Sequence, residues 1–304
     1  DLAEADVAAG ELGSDYLHRE DSSEDDRQKA KLLSERFERF LNVKERFYNQ
    51  YILIPGGTYI VGSRMPKSDE KHAENVILEP YYIGVFPVTN ALFEIFVEET
   101  GYETSAETIG FGMVYRGRFK KSMDAKTGRV TIISNRTLSY EKVYGACWYQ
   151  PFGPGSMLHQ KRSHPVVQVS LIDAMAFAAW VGKKLPTEDE WEAATRTAHG
   201  YLYPWGNEWK KDACNIEESY LADTTPVDKY IDFANDFGVV DGLGGILEWT
   251  TGIYNLSSGV TNETKYRIVK GGSWVSDRHV RLCSRFKMPA DTTSNVLGFR
   301  CVAP

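Results

Sequence analysis

The sequence predicts an α+β domain with little regular secondary structure, preceded by a helical segment. Three observations predict it. Ser170 with Asp173, and Thr187 with Glu190, have capping-box spacing and open two central helices. Short apolar runs, such as residues 266–269 and 296–302, read as strands. Hydrophobic residues make up 42% of the 304 and aromatics 12%, with 7 Trp and 17 Tyr. That supports a sizeable core filled by bulky rings, as irregular, loop-heavy folds require. No repeat and no Gly-, Ser- or Pro-rich linker divides the chain. It is read as residues 1–50, an acidic segment and an amphipathic helix, followed by one domain over 51–304.

Taken in order, residues 1–26 are acid-rich with few apolar side chains and read as loosely attached. Residues 27–50 place Leu33, Phe37, Phe40, Leu41 and Phe47 near helical spacing. They predict one helix whose apolar face lies on the domain or on a partner chain. Residues 51–62 read as a pair of short strands around a Pro-Gly-Gly turn, and 75–85 as a further strand. Thr89 caps a helix over 90–100 that Gly101 stops. Residues 104–158 are long and mixed: 116–121 is a basic run read as a solvated loop, and 126–129 a hairpin tip. The central helices span about 171–181 and 188–195. His164, before a proline at a strand start, reads as structural. Residues 281–285 alternate charge with small or apolar side chains and read as a strand, whereas 274–280 and 286–295 read as surface loops.

Composition narrows the function. The net charge is −7 with no basic tail, so nucleic acid is not expected as a principal partner. No apolar run approaches a membrane span. Cys147, Cys214, Cys283 and Cys301 show no metal-type spacing and read as free, buried thiols. Reduced thiols favour a bacterial cytoplasm. A leader removed in processing would instead place the protein at the surface or outside the cell.

The loop 241–248 offers the carboxylates of Asp241 and Glu248, while its glycines let the Gly244 and Ile246 carbonyls turn inward. Hard oxygen donors on a short loop suit calcium rather than zinc or copper. Ser276, Asp277 and His279 supply the residue types of a catalytic triad. They crowd into four positions of one loop, without a nucleophile elbow.

Several motifs in order, KGGSW at 270–274, RLCSR at 281–285, GFRC at 298–301, GGILEWT at 244–250 and KLPTEDEWE at 184–192, resemble the formylglycine-generating enzyme (sulfatase-modifying factor) family. The resemblance runs from about Ile54 to Cys301. It implies a variant of the C-type-lectin-like fold, a structural calcium site at Asp241, Gly244, Ile246 and Glu248, and a second site starting at Asn215 and Ile216. It also implies two cysteines after GGS(Y/W) that bind Cu(I) and activate oxygen in the family's oxidases. The first of those positions is Ser276, and the loop is too short for the second before Arg281. A hydroxyl cannot replace a thiolate at Cu(I), so no copper is expected. The family's disulfides are also incomplete: Cys301 stands at its position, but the partner positions read Ala178 and Thr195.

These readings predict a non-catalytic module for an unidentified protein or small-molecule ligand, with calcium as a structural ion. Its ligand surface is expected at Trp274, Ser276, Asp277, Arg278, His279, Phe286, Lys287, Asp291, Thr292 and Asn295. One branch with this fold, the variable proteins of diversity-generating retroelements, displays ligand-binding residues in this region, and the short loop resembles it. The alternative is a divergent metal-dependent oxidase or oxygenase with its metal elsewhere.

Overall fold

Three acidic residues, Glu24, Asp25 and Asp26, favour the positive end of helix α1 (Glu24–Glu38). The structure, a computed structural model, describes residues 24–134, 139–254 and 266–304. The expected acidic segment therefore lies outside the described residues up to 23, and its last residues are helical. The single helix expected over 27–50 is two. Asn42 caps α2 (Val43–Tyr48), its side chain accepting from Lys44 N and Glu45 N, which turns the chain where a continuous helix would have run. Phe37 packs edge-on against Phe177 and Trp180, so the helical segment rests on its own domain.

Strands β1 (Tyr51–Ile54), β2 (Gly57–Val61), β3 (Glu74–Leu78) and β4 (Tyr81–Gly84) follow. The two strands around Pro-Gly-Gly form but do not pair with each other: β1 pairs with β4, and β2 with β3. Pro80 lacks a donor and separates β3 from β4, where one strand was expected. Helix α3 (Asn90–Thr100) begins and ends as read, with Thr89 accepting from Leu92 N and Gly101 left-handed at φ +68°. After α4 (Ser105–Ile109) come β5 (Phe111–Arg116), β6 (Phe119–Met123), β7 (Val130–Ser134) and β8 (Ser139–Tyr144). They build an antiparallel ribbon, β5 with β8 and β6 with β7. The basic run read as a loop lies mostly in these strands, and its hairpin tip falls where 126–129 put it.

Both capping boxes are present at the starts of α5 (Leu171–Trp180) and α6 (Glu188–Arg196). Strands β9 (Leu247–Ile253), β10 (Tyr266–Lys270), β11 (Phe286–Pro289) and β12 (Leu297–Gly298) form a sheet in the order β11-β10-β9-β12. The last strand, β13 (Val302–Ala303), closes a second sheet, β1-β4-β13. The strand expected at 281–285 is a turn, and the strand is β11, inside the expected loop. The alternation that suggested a strand has another cause: Arg281 and Arg285 turn inward to the carboxylates of Glu70 and Glu188. The main core gathers Phe93, Phe96, Phe177, Phe299, Trp249 and Trp274 between α3, α5 and the C-terminal strands. Gly298 admits no side chain there, because a Cβ would sit 2.3 Å from the Val166 carbonyl oxygen.

Candidate functional site

The loop leaving β10 turns through Gly271 and Gly272, both at positive φ, where a side chain would be strained. Ser276 then closes a tight turn: its Oγ accepts from Ser273 N at 3.0 Å and its N–H donates to Ser273 O at 2.9 Å. Trp274 is buried, donating its backbone N–H to Gly245 O and its indole N–H to Asn295 O. Asp277, Arg278 and His279 stand exposed. Asp277 accepts from the backbone N–H of His279, not its ring, so no relay of the triad type is formed. The Lys67 ammonium donates to His279 O, and Arg278 N donates to Glu218 at 3.3 Å, which pins the exposed tip from two sides.

The expected ligand surface therefore divides. Trp274 is buried core rather than an exposed aromatic. Asn295 is also buried, its side chain bonding Tyr115 N at 2.8 Å and Tyr115 O at 3.0 Å, as a neighbouring strand would. Half-buried Phe286 and exposed Lys287 lie on β11, with the Lys287 ammonium over the Tyr254 and Tyr266 rings. Exposed Asp291 and half-buried Thr292 follow that strand, which carries them roughly 13 Å along its length. Three exposed neighbours, Asp277 to His279, with half-buried Ser276 beside them, form the remaining continuous patch.

The two expected cation loops meet: Gly245 N donates to Asn215 O at 2.7 Å, and Gly244 sits so close that a Cβ would lie 2.4 Å from the same oxygen. The Ile216 carbonyl accepts from Ser219 N, and the Ile246 side chain is core. Glu248 is already engaged. Arg300 donates to both its oxygens at 2.7 Å, and the Trp191 indole N–H donates to one of them, also at 2.7 Å. Asp241 is buried, and its Oδ1 has no hydrogen-bond partner; nor has Asn215 Oδ1. Burial pushes the Asp241 carboxyl up to about 8, with Arg300 opposing and Glu248 reinforcing the shift. These orphaned oxygens fit a hard cation. Glu248 does not fit, because its charge is matched by Arg300.

All four cysteines are free and buried. Burial pushes each thiol up, Cys301 to about 12, and Cys214 packs with Trp191 and Leu282. None is poised as the thiolate that nucleophilic or Cu(I) chemistry uses. His164 is structural, hydrogen-bonded to Thr224 at 2.9 Å and lowered to about 4 mainly by burial.

The sequence reading missed a buried ionic network beneath the loop. Lys270 is fully buried, 2.7 Å from Glu192 and 3.8 Å from Glu188. Glu192 also meets Arg196 at 2.8 Å and accepts from Gly62 N. Burial alone would raise Glu192, but Lys270 and Arg196 hold it below the ordinary carboxylate value. The available signal was spacing: Glu188, Glu192 and Arg196 recur every four residues, on one helix face.

Residues 36–304 match the family described as Sulfatase-modifying factor enzyme 1-like domain. The chain is 33% identical over 271 residues to Inactive C-alpha-formylglycine-generating enzyme 2 of Bos taurus, covering 83% of this chain and 87% of that one. It is 33% identical over 282 residues to Formylglycine-generating enzyme of Mus musculus, covering 82% and 74%. In fold it resembles PvdO from Pseudomonas aeruginosa, with a TM-score of 0.59 at 20% identity over 83% of this chain and 93% of that one. It also resembles Treponema denticola variable protein 1, with a TM-score of 0.55 at 15% identity over 83% and 94%. Relatives named as active and as inactive are equally similar, so identity does not choose between them.

Proposed function

The chain belongs to the sulfatase-modifying factor enzyme 1-like family, and from that premise we propose that it is a non-catalytic, ligand-binding member. One observation carries the reading: Ser276 stands where the resemblance places the first copper thiolate, and its hydroxyl holds Ser273 N in a closed turn. The recognition surface is the exposed tip Asp277, Arg278 and His279, carried on buried Trp274. A rigid turn bearing an acid, a guanidinium and an imidazole suits a polar protein or small-molecule ligand. Calcium is the structural ion of this reading, with Asp241 offering a carboxylate oxygen to one site and Asn215 a side-chain oxygen to the second. At the first it would neutralise Asp241.

The retroelement-diversified form of this reading restricts variation to exposed positions. Within residues 273–299, Leu282, Cys283, Val296 and Phe299 are core and must stay apolar. A near-copy of this coding segment beside a reverse transcriptase gene is its test.

The binding surface is tested by paired melting and pull-down of Asp277→Ala, Arg278→Ala and His279→Ala. Exposed substitutions are expected to stay within about 0.5 kcal/mol of the parent while abolishing capture of the ligand. Trp274→Ala is expected to cost about 3–5 kcal/mol by opening a cavity. Loop variants that fold and keep every ligand would place the site elsewhere.

A further inference from the structure

The ribbon β5–β8 is not used by the proposed function. Residues 116–142 contain 8 Lys or Arg and 2 acids, a net of +6, within a chain of net −7. The rest of the chain therefore carries −13. The distal half also exposes apolar side chains: Met123, Val130, Ile132 and Ile133 are each more than half exposed.

Its base is firmly held. Arg118 forms an ion pair with buried Glu217, and a Cβ at Gly117 would lie 3.2 Å from the Trp274 ring. The outer edge of β5 is occupied: Met113 N donates to Thr293 O at 2.9 Å, and Asn295 bonds Tyr115. This partner segment reaches no further than Tyr115. Beyond it, β6 and β7 form a two-stranded sheet with no third strand among the described residues. An open main-chain edge, basic charge and exposed β-branched side chains thus coincide on one arm.

We propose that the distal ribbon, β6 and β7, is a docking arm for an acidic, apolar-bearing segment of a partner protein, added as an extended strand along the open edge. Strand addition takes affinity from main-chain hydrogen bonds and selectivity from alternate side chains. Acidic residues of the partner meet Lys126 and Arg129, and its apolar residues, alternating onto one face, cover one of the pair Ile132 and Ile133, which point to opposite faces of β7. A nucleic acid matches these observations less well. Phosphates do not cover isoleucine, and the acidic remainder of the chain repels them. Lysine at an open edge also discourages self-pairing, and that role alone predicts no ligand. The arm stands independently of the recognition surface at Asp277 to His279.

The test uses the full chain and a labelled short peptide alternating Glu and Val, followed by fluorescence anisotropy at low and high salt. Saturable binding that weakens with salt is expected. Lys126→Glu with Arg129→Glu should weaken it by at least about tenfold. Ile132→Thr with Ile133→Thr should weaken it without changing the salt dependence. Asp277→Ala should leave it unchanged, which separates the arm from the loop surface. The exposed positions leave the melting temperature near that of the parent. Absence of saturable binding, equal binding by both ribbon variants, or tighter binding of a short DNA duplex than of the peptide would each overturn the proposal.

Discussion

Glu248→Ala is expected to lower stability by about 3–5 kcal/mol, equally with calcium and with EDTA. The cause is Arg300, which is fully buried and has Glu248 as its carboxylate partner. Truncating Glu248 leaves a guanidinium in the core with the backbone carbonyls of Gly84, Val85, Val240 and Asp241, at 3.1 to 3.4 Å, to share its charge. For a chain of this size the fall in Tm is on the order of 10 °C. Replacing both partners by methionine should cost less than either single change, because no charge is then stranded. Thermal melts with and without EDTA check this. A loss confined to the calcium-loaded protein would make Glu248 a metal ligand instead.

Asp241 gives the second large effect, with a defined sign. Its carboxyl is raised from an ordinary 3.8 to about 8, chiefly by burial. Between those values the folded chain binds a proton that the unfolded chain has lost. Stability from this group is therefore complete below pH 3.8, declines as pH rises, and is lost through pH 8. The ceiling is on the order of 5 kcal/mol. Asp241→Asn, which keeps the shape without the charge, is expected to stabilise the protein at pH 8 in EDTA and to flatten the pH dependence. Calcium should flatten it in the parent, because a cation would take the place of the proton. Denaturant titrations at pH 5 and pH 8 check both. A parent whose stability rises over that interval in EDTA would contradict the assignment.

The two effects show which parts of the molecule the sequence made legible. Local signals were reliable: Thr89 with Gly101, Ser170 with Asp173, and Thr187 with Glu190 each bound a helix as read. Their causes lie within a few residues of each other. The family motifs located the C-terminal loop for a similar reason, since Gly271, Gly272 and Ser276 form one turn. Long-range partnerships were not legible. Arg281 and Arg285 alternate as strand residues do, but Glu70 and Glu188, far away in the chain, decide their direction. Trp274 and Asn295 looked like loop display because their neighbours are polar. Their burial depends on each other and on Tyr115, 180 residues before Asn295. The engagement of Glu248 by Arg300 was hidden too, because Arg300 lies 52 residues further along the chain. The meeting of the two loops, Gly245 N on Asn215 O, was likewise not legible, because the residues lie thirty positions apart.

The central claim is that this site binds without catalysing formylglycine formation. The most direct measurement is aldehyde formation in a sulfatase-type peptide containing Cys, incubated with the full chain and added Cu(I) and followed by mass spectrometry. The peptide is predicted to come through with its thiol intact at every copper concentration, because Ser276 offers a hydroxyl and the four cysteines are buried. Aldehyde appearing at a rate that rises with copper and with protein would contradict the claim.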